Sequence, residues 1–240
     1  MTKVIEVENV SFGYTRDMIL EHVDFTVEKG DFAVVIGDNG VGKSTTLKSI
    51  MGLVKTGPET SLLFDGKEIA GLPAYERVRR GIGYVPQGRD IFPQMTVLEN
   101  LELGVQPKLG RGEKVGKNKI PEYLYDLFPI LPKFAKRRGG DLSGGQQQQL
   151  AIARALVQDP KILILDEPTE GIQPSIINDI GRAIRKINEW KGITVLLVEQ
   201  YLDFVMENSH YINIMEKGNI IFHKETSLCE KAEVQKLMTD

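Results

Sequence analysis

The run Phe32-Ala33-Val34-Val35-Ile36, followed directly by Gly37-Asp38-Asn39-Gly40-Val41-Gly42-Lys43-Ser44-Thr45, constrains this chain more than any other feature. Successive apolar residues without a polar face read as a strand covered on both sides, which is the environment of a parallel sheet. The residues after it satisfy G-x-x-x-x-G-K-[ST] and lead into a helical pattern over Ser44–Met51, so the motif stands between a strand and a helix, where its chemistry requires it. Glycines there let backbone N–H groups curl around a dense anion, and the helix N-terminus adds its positive end. Lys43 supplies a mobile cation, and Ser44 supplies a hydroxyl suited to Mg2+. A solvated glycine-rich turn is the bland alternative. The strand and helix context argues instead for a phosphate cradle made of Gly37, Asn39, Gly40, Gly42, Lys43, Ser44 and Thr45.

Further continuous apolar runs occur at Ile82–Val85, Ile162–Leu165 and Thr194–Val198, with helical patterns at Pro73–Arg80, Gln146–Val157 and Ser175–Trp190. Strands alternating with helices specify an α/β fold with a mostly parallel sheet, and ligands of such sheets sit at the strands' carboxyl ends. Alternating patterns over Val4–Val10 and Val23–Val27 predict an antiparallel β element before the cradle. Residues from about 95 to 140 hold helical stretches but no comparable buried strand. They predict an inserted helical lobe that continues to about residue 158, with 159–240 as the second part of the core. In the tail, Tyr211–Met215 and Asn219–His223 flank Lys217-Gly218 as a hairpin, followed by a short amphipathic helix ending at Met238.

At 240 residues the chain suits one domain. Its 30 basic and 33 acidic residues give a net charge of −3, without the overall basic footprint of a nucleic-acid binder. The glycine-rich basic segment 108–119 reads as a solvated mobile loop. The N-terminus enters strand-like alternation without a secretory apolar stretch, and no run approaches the roughly 18 apolar residues of a membrane span, so a cytoplasmic chain is expected. Its single cysteine, Cys229, excludes an internal disulfide and reads as structural.

Ile162-Leu163-Ile164-Leu165 delivers Asp166 and Glu167 to a strand end. Hydrolytic phosphoryl transfer needs a neutralised leaving group and an oriented nucleophile; Asp166 suits the first through Mg2+, and Glu167 suits the second as base. Leu142-Ser143-Gly144-Gly145-Gln146 is a second glycine-hydroxyl turn at a helix N-terminus, hence a second anion site. Two distant turns can hold one phosphate only if two chains associate.

LSGGQ placed between the cradle and ILILDEPT resembles the ABC ATPases over nearly the whole chain. That resemblance implies a P-loop NTPase fold with an antiparallel β element and a helical subdomain, which binds and hydrolyses ATP with Mg2+. It implies a head-to-tail dimer in which Ser143, Gly145 and Gln146 of one subunit close over ATP held by Gly40, Gly42, Lys43 and Ser44 of the other. Gln87, ending Tyr84-Val85-Pro86-Gln87, would contact the metal and attacking water and link them to the helical lobe; Tyr14 would stack on adenine. The runs YVPQGRDIFPQMTVLENL, RRGGDLSGGQQQQLAIARAL and ILILDEPTEGIQPSI resemble the branched-chain amino acid and urea importer group, and TEGIQPSII is most like the urea-type ATPase. The implied partners are a second ATPase subunit, two membrane permeases and, indirectly, an extracytoplasmic solute-binding protein. The implied place is the cytoplasmic face of the inner membrane.

Two positions depart from the family. Gln200 stands where a histidine is usual, and its amide donates a hydrogen bond but cannot become cationic or shuttle a proton. Gln173 stands where a dimer-contacting aspartate is frequent. Both predict a site that fires less readily than its partner's.

Overall fold

The computed structural model of the chain describes residues 2–14, 17–116 and 119–239. Among the described residues ten strands occur in chain order: β1 Lys3–Tyr14, β2 Asp17–Glu28, β3 Phe32–Ile36, β4 Ser61–Phe64, β5 Lys67–Glu68, β6 Ile82–Val85, β7 Ile162–Asp166, β8 Thr194–Glu199, β9 Tyr211–Glu216 and β10 Asn219–Glu225. The helices are α1 Lys43–Met51, α2 Ala74–Arg79, α3 Val97–Leu103, α4 Gln106–Gly110, α5 Tyr123–Leu127, α6 Ile130–Lys133, α7 Gly144–Val157, α8 Pro174–Lys191, α9 Leu202–Asn208 and α10 Lys231–Thr239.

The larger sheet has the order β10-β9-β3-β8-β7-β6 and is parallel except for the edge strand β10. Each apolar run foreseen as a doubly covered strand lies here, and period-2 alternation divides its side chains between two cores. Val34, Ile36, Leu163, Leu165, Val195 and Leu197 face the core shared with α3, α7 and α8. Val35, Ile162, Ile164, Leu196 and Val198 face the core shared with α1 and the smaller antiparallel sheet β2-β1-β4-β5.

The pairing register positions the site. Ile36 is opposite Glu199, Asp166 opposite Val198, and Val85 opposite Leu165. The residues just beyond these strands therefore leave the sheet at one level.

Several elements differ from the sequence reading. β1 and β2 are each 12 residues long, well beyond the expected alternation, because bulges at Val7–Val10 and Val10–Phe12 break the period while pairing continues. β4, β5, α4, α6 and α9 are too short for a periodic pattern to show. The tail hairpin turns at Lys217 (φ 42°) and Gly218 (φ 78°), the left-handed pair of a two-residue turn. It is no appendage, since β9 pairs with β3 inside the main sheet. Segment 108–119 is tethered at several points: it begins in α4, Arg111 donates to the Gln158 carbonyl (2.9 Å), and Lys119 donates to Glu102 (3.2 Å). Residues 117 and 118 lie outside the described residues. Among the described residues between β6 and β7 stand α3 to α7 and no strand of the main sheet. Among the described residues no helix is long and apolar enough to cross a membrane.

Arg77 is 2% exposed and fastens α1, the helix behind the cradle. It donates to the carbonyls of Ser49 (2.8 Å), Ile50 (2.7 Å), Ala70 (2.7 Å) and Leu72 (2.8 Å). Two of these are among the C-terminal carbonyls that a helix cannot satisfy internally. Arg77→Met fills the space but strands these acceptors. A stability loss of about 3 kcal/mol is expected in urea denaturation, and an unchanged midpoint would contradict this role.

Candidate active site

The loop from β3 to α1 is wedged between neighbouring strands. A Cβ on Gly37 would lie 2.3 Å from the Met215 carbonyl oxygen, and one on Gly42 would lie 2.6 Å from Leu20 Cδ2. Gly42 also holds φ 109°, which side chains rarely adopt, and it caps α1 without any side-chain hydrogen bond. The first-turn N–H groups of α1, at Lys43, Ser44 and Thr45, are thus directed at the loop's concave side, the arrangement that binds anions.

Lys43 is 4% exposed and folds over its own loop, with Nζ donating to the carbonyls of Gly37 (2.8 Å) and Asp38 (2.7 Å). It lies 3.7 Å from Glu167 Oε1. Burial pulls the ammonium below its ordinary pKa, opposed by Glu167, Asp38 and Asp166.

Asp166 ends β7 at 1% exposure. The Ser44 hydroxyl donates to its Oδ1 at 2.8 Å, while the buried Oδ2 has no hydrogen-bond partner. Desolvation pushes this carboxyl above the usual range, only partly offset by Ser44. A buried oxygen with no donor, beside a hydroxyl, is the hard oxygen set that Mg2+ takes. Among the described residues no cluster of three or more His, Cys, Asp or Glu could hold a metal alone.

Glu167 adopts φ 46°, a left-handed conformation that costs a non-glycine residue about 1–3 kcal/mol and clusters at functional sites. Its N–H donates to the Val198 carbonyl at 2.9 Å. Gln200 Nε2 donates to Glu167 Oε1 (2.7 Å) and to Asn39 Oδ1 (2.7 Å), which joins base and cradle through one amide. Gln87 Nε2 donates to Glu167 Oε2 (3.2 Å) and Glu170 Oε2 (2.9 Å). Both contacts use the side-chain nitrogen of Gln87.

Seven of the residues singled out in the sequence converge here: Asn39, Lys43, Ser44, Gln87, Asp166, Glu167 and Gln200. The second anion turn stands apart. Ser143 caps α7, accepting from Gln146 N–H at 3.4 Å, while Gln146 Oε1 accepts from Ser143 N–H at 3.1 Å. Among the described residues no hydrogen bond joins this turn to the cradle. Gly145 is sterically required, since a Cβ there would lie 2.6 Å from Ile176 Cγ2, whereas a Cβ on Gly144 would meet only the mobile end of Arg89 at 3.3 Å. Gln173 caps α8 and is exposed. Tyr14 ends β1, but its side chain lies outside those described.

Four residues were given no role in the sequence reading. Glu170 holds Gln87, and Glu199 is buried beside Gln200. Arg89 donates to the Glu170 carbonyl (3.2 Å), and Arg154 on α7 donates to the Asp90 carbonyl (2.9 Å), so the loop after Gln87 is tied to α7. A carboxylate closing an apolar strand was the available signal for Glu199, as it was for Asp166.

A parallel sheet with a glycine cradle, a buried metal-type carboxylate and a second carboxylate beside it defines a nucleotide-hydrolysing P-loop protein. Residues 20–170 match the family model described as "ABC transporter". The "High-affinity branched-chain amino acid transport ATP-binding protein BraG" of Pseudomonas aeruginosa is 37% identical over 92% of this chain and 92% of its own. The "Probable branched-chain amino acid transport ATP-binding protein LivF" of Archaeoglobus fulgidus is 38% identical over 94% of each. A solved dimeric ATP-binding cassette in a post-hydrolysis state, bound to ADP and Pi, superposes with a TM-score of 0.80 at 28% identity, covering 92% of this chain and 98% of that one. The chain belongs to the ABC transporter family and is one of its ATP-binding, ATP-hydrolysing subunits.

Burying Asp166 serves the site at the expense of the fold. Asp166→Asn keeps an acceptor for Ser44 and removes a buried charge with an unpartnered oxygen. It is expected to raise the melting temperature of the chain without added nucleotide by a few degrees, corresponding to about 1 kcal/mol, while abolishing Mg2+-dependent hydrolysis. A lower melting temperature in calorimetry would contradict this reading.

Proposed function

We propose that this chain energises a membrane importer by closing over ATP with a second ATPase subunit and reopening after hydrolysis. The observation that carries this is the convergence of Lys43, Asp166, Glu167 and Gln200 at strand ends in register. Gly37, Asn39, Gly40, Gly42 and Thr45 offer backbone to the phosphates, and Lys43 turns from its own carbonyls toward them. Ser44, Asp166 and the Gln87 carbonyl would hold Mg2+, which would supply charge neutralisation when bound. Glu167 takes the proton of the attacking water, and Gln200 donates a neutral hydrogen bond toward the terminal phosphate. Ser143, Gly144, Gly145 and Gln146 of the second subunit complete the site, and Tyr14 stacks on adenine.

The lobe, residues 95 to about 158, would transmit closure through the Arg89–Glu170 and Arg154–Asp90 contacts. A groove of about 440 Å³ lined by Met51, Leu53, Phe92, Leu103 and Pro107 supports a permease seat on this face. On this reading the chain sits at the cytoplasmic face of the membrane, with the solute-binding protein reached only through the permeases. The names of the relatives support a branched-chain amino acid as solute; the run Thr169–Ile177 supports urea. Calorimetry on the binding protein encoded beside this chain separates them: leucine binding is expected, and binding of urea alone would reverse the order.

Replacing the base isolates the chemical step. Glu167→Gln is expected to cut hydrolysis at least a hundredfold and to trap an ATP-bound dimer in gel filtration. Unchanged turnover would remove Glu167 from the mechanism.

Gln200 and Gln173 also support unequal sites. Hydrolysis is expected to be faster in a mixed dimer with the nonidentical subunit than in a dimer of this chain alone, and equal rates per site would contradict that.

A further inference from the structure

Glu199 closes β8 at 3% exposure, and among the described residues no lysine, arginine or histidine lies within ion-pair distance of it. Its carboxylate is satisfied by four neutral donors instead. Oε1 accepts from the Thr169 N–H (3.0 Å) and hydroxyl (2.6 Å). Oε2 accepts from the N–H groups of Gln200 (2.8 Å) and Tyr201 (3.2 Å). One oxygen therefore grips the turn after Glu167, and the other grips the turn that carries Gln200.

A buried carboxylate without a counter-ion is expensive, and only well-aimed donors make it tolerable. Its two-sided grip is what an apolar or hydroxyl residue could not reproduce, because four donors need an acceptor-only group with two oxygens. Both gripped turns are also joined directly, by Glu167 N–H to the Val198 carbonyl (2.9 Å) and by Gln200 to Glu167 (2.7 Å). Glu167 sits in a strained left-handed conformation, which persists only where surroundings over-determine it.

We infer that Glu199 is a positioning residue that clamps the Glu167 turn to the Gln200 turn, so that base and phosphate-facing amide move as one unit. Its hydrogen bonds go to Thr169, Gln200 and Tyr201 and not to the cradle or to Asp166. Its loss should misplace Gln200 relative to Glu167 while leaving the cradle intact. The inference rests on the roles proposed above for Glu167 and Gln200, and a failure of those roles shows separately as undiminished turnover in Glu167→Gln.

Glu199→Gln is the informative change, because its amide presents donors to one of the two turns and splits the clamp. Steady-state hydrolysis by the full chain is expected to lose about tenfold or more in kcat with KM for ATP changed less than about twofold. Glu199→Asp should recover part of the rate. A merely structural glutamate would not couple to Gln200, so the double variant with Gln200→Ala decides: the two losses are expected to be non-additive, the second costing little once the first is present. Additive losses, an unchanged kcat, or a matched rise in KM would overturn the inference. If Glu199→Gln does not fold, Thr169→Val removes one donor in an isosteric side chain. A several-fold fall in kcat at constant KM is then expected, and wild-type kinetics would overturn the inference.

Discussion

The parallel register of β3, β8 and β7 is the constraint on which the site depends. Because Ile36 stands opposite Glu199 and Val198 stands opposite Asp166, three chain segments leave the sheet side by side. Each brings a different chemical group: a glycine loop with a lysine, a carboxylate pair and a glutamine. A slip of one residue in either ladder would turn Asp166 or Glu199 to the opposite face. The fully apolar strands guard against that slip, since both of their faces are buried in separate cores.

The site holds its charges under tension. Lys43 and Asp166 are both buried and shifted toward neutrality by desolvation, and Glu167 is held in an unfavourable backbone conformation. Groups arranged this way favour a ligand carrying dense negative charge together with a cation, because such a ligand satisfies both at once. The chain's own hydrogen bonds hold this array in place: Ser44 on Asp166, Gln200 across Asn39 and Glu167, and Glu199 beneath both turns.

Much of this was legible before any coordinates. Phe32–Ile36 and Ile162–Leu165 announced doubly covered strands because they lack alternation, and the residues after them carried the chemistry. Segments such as Ser61–Phe64 and Leu202–Asn208 were illegible because a four- to seven-residue element shows too few repeats to establish a period. The hairpin at Lys217-Gly218 was legible through its turn residues, but its place beside β3 was not, since long-range pairing leaves no local mark. Glu170 has no such mark, since its partner Gln87 lies 83 residues away, while Glu199 shows in the sequence only as a carboxylate closing an apolar strand, and its grip on Thr169 emerges from the fold. The urea assignment came from a short run of wording, while the relatives' names point toward branched-chain amino acids.

The separation of Ser143–Gln146 from the cradle makes the shared site the central claim, and complementation between crippled copies tests it most directly. Lys43→Ala disables the cradle, and Ser143→Arg disables the signature turn. Each variant alone should be inactive. Mixed in equal amounts, they form dimers in which one composite site has an intact cradle from one copy and an intact turn from the other, so ATP hydrolysis should reappear. If the mixture stays as inactive as its components although the two variants associate, each site is completed within one chain and the account is wrong.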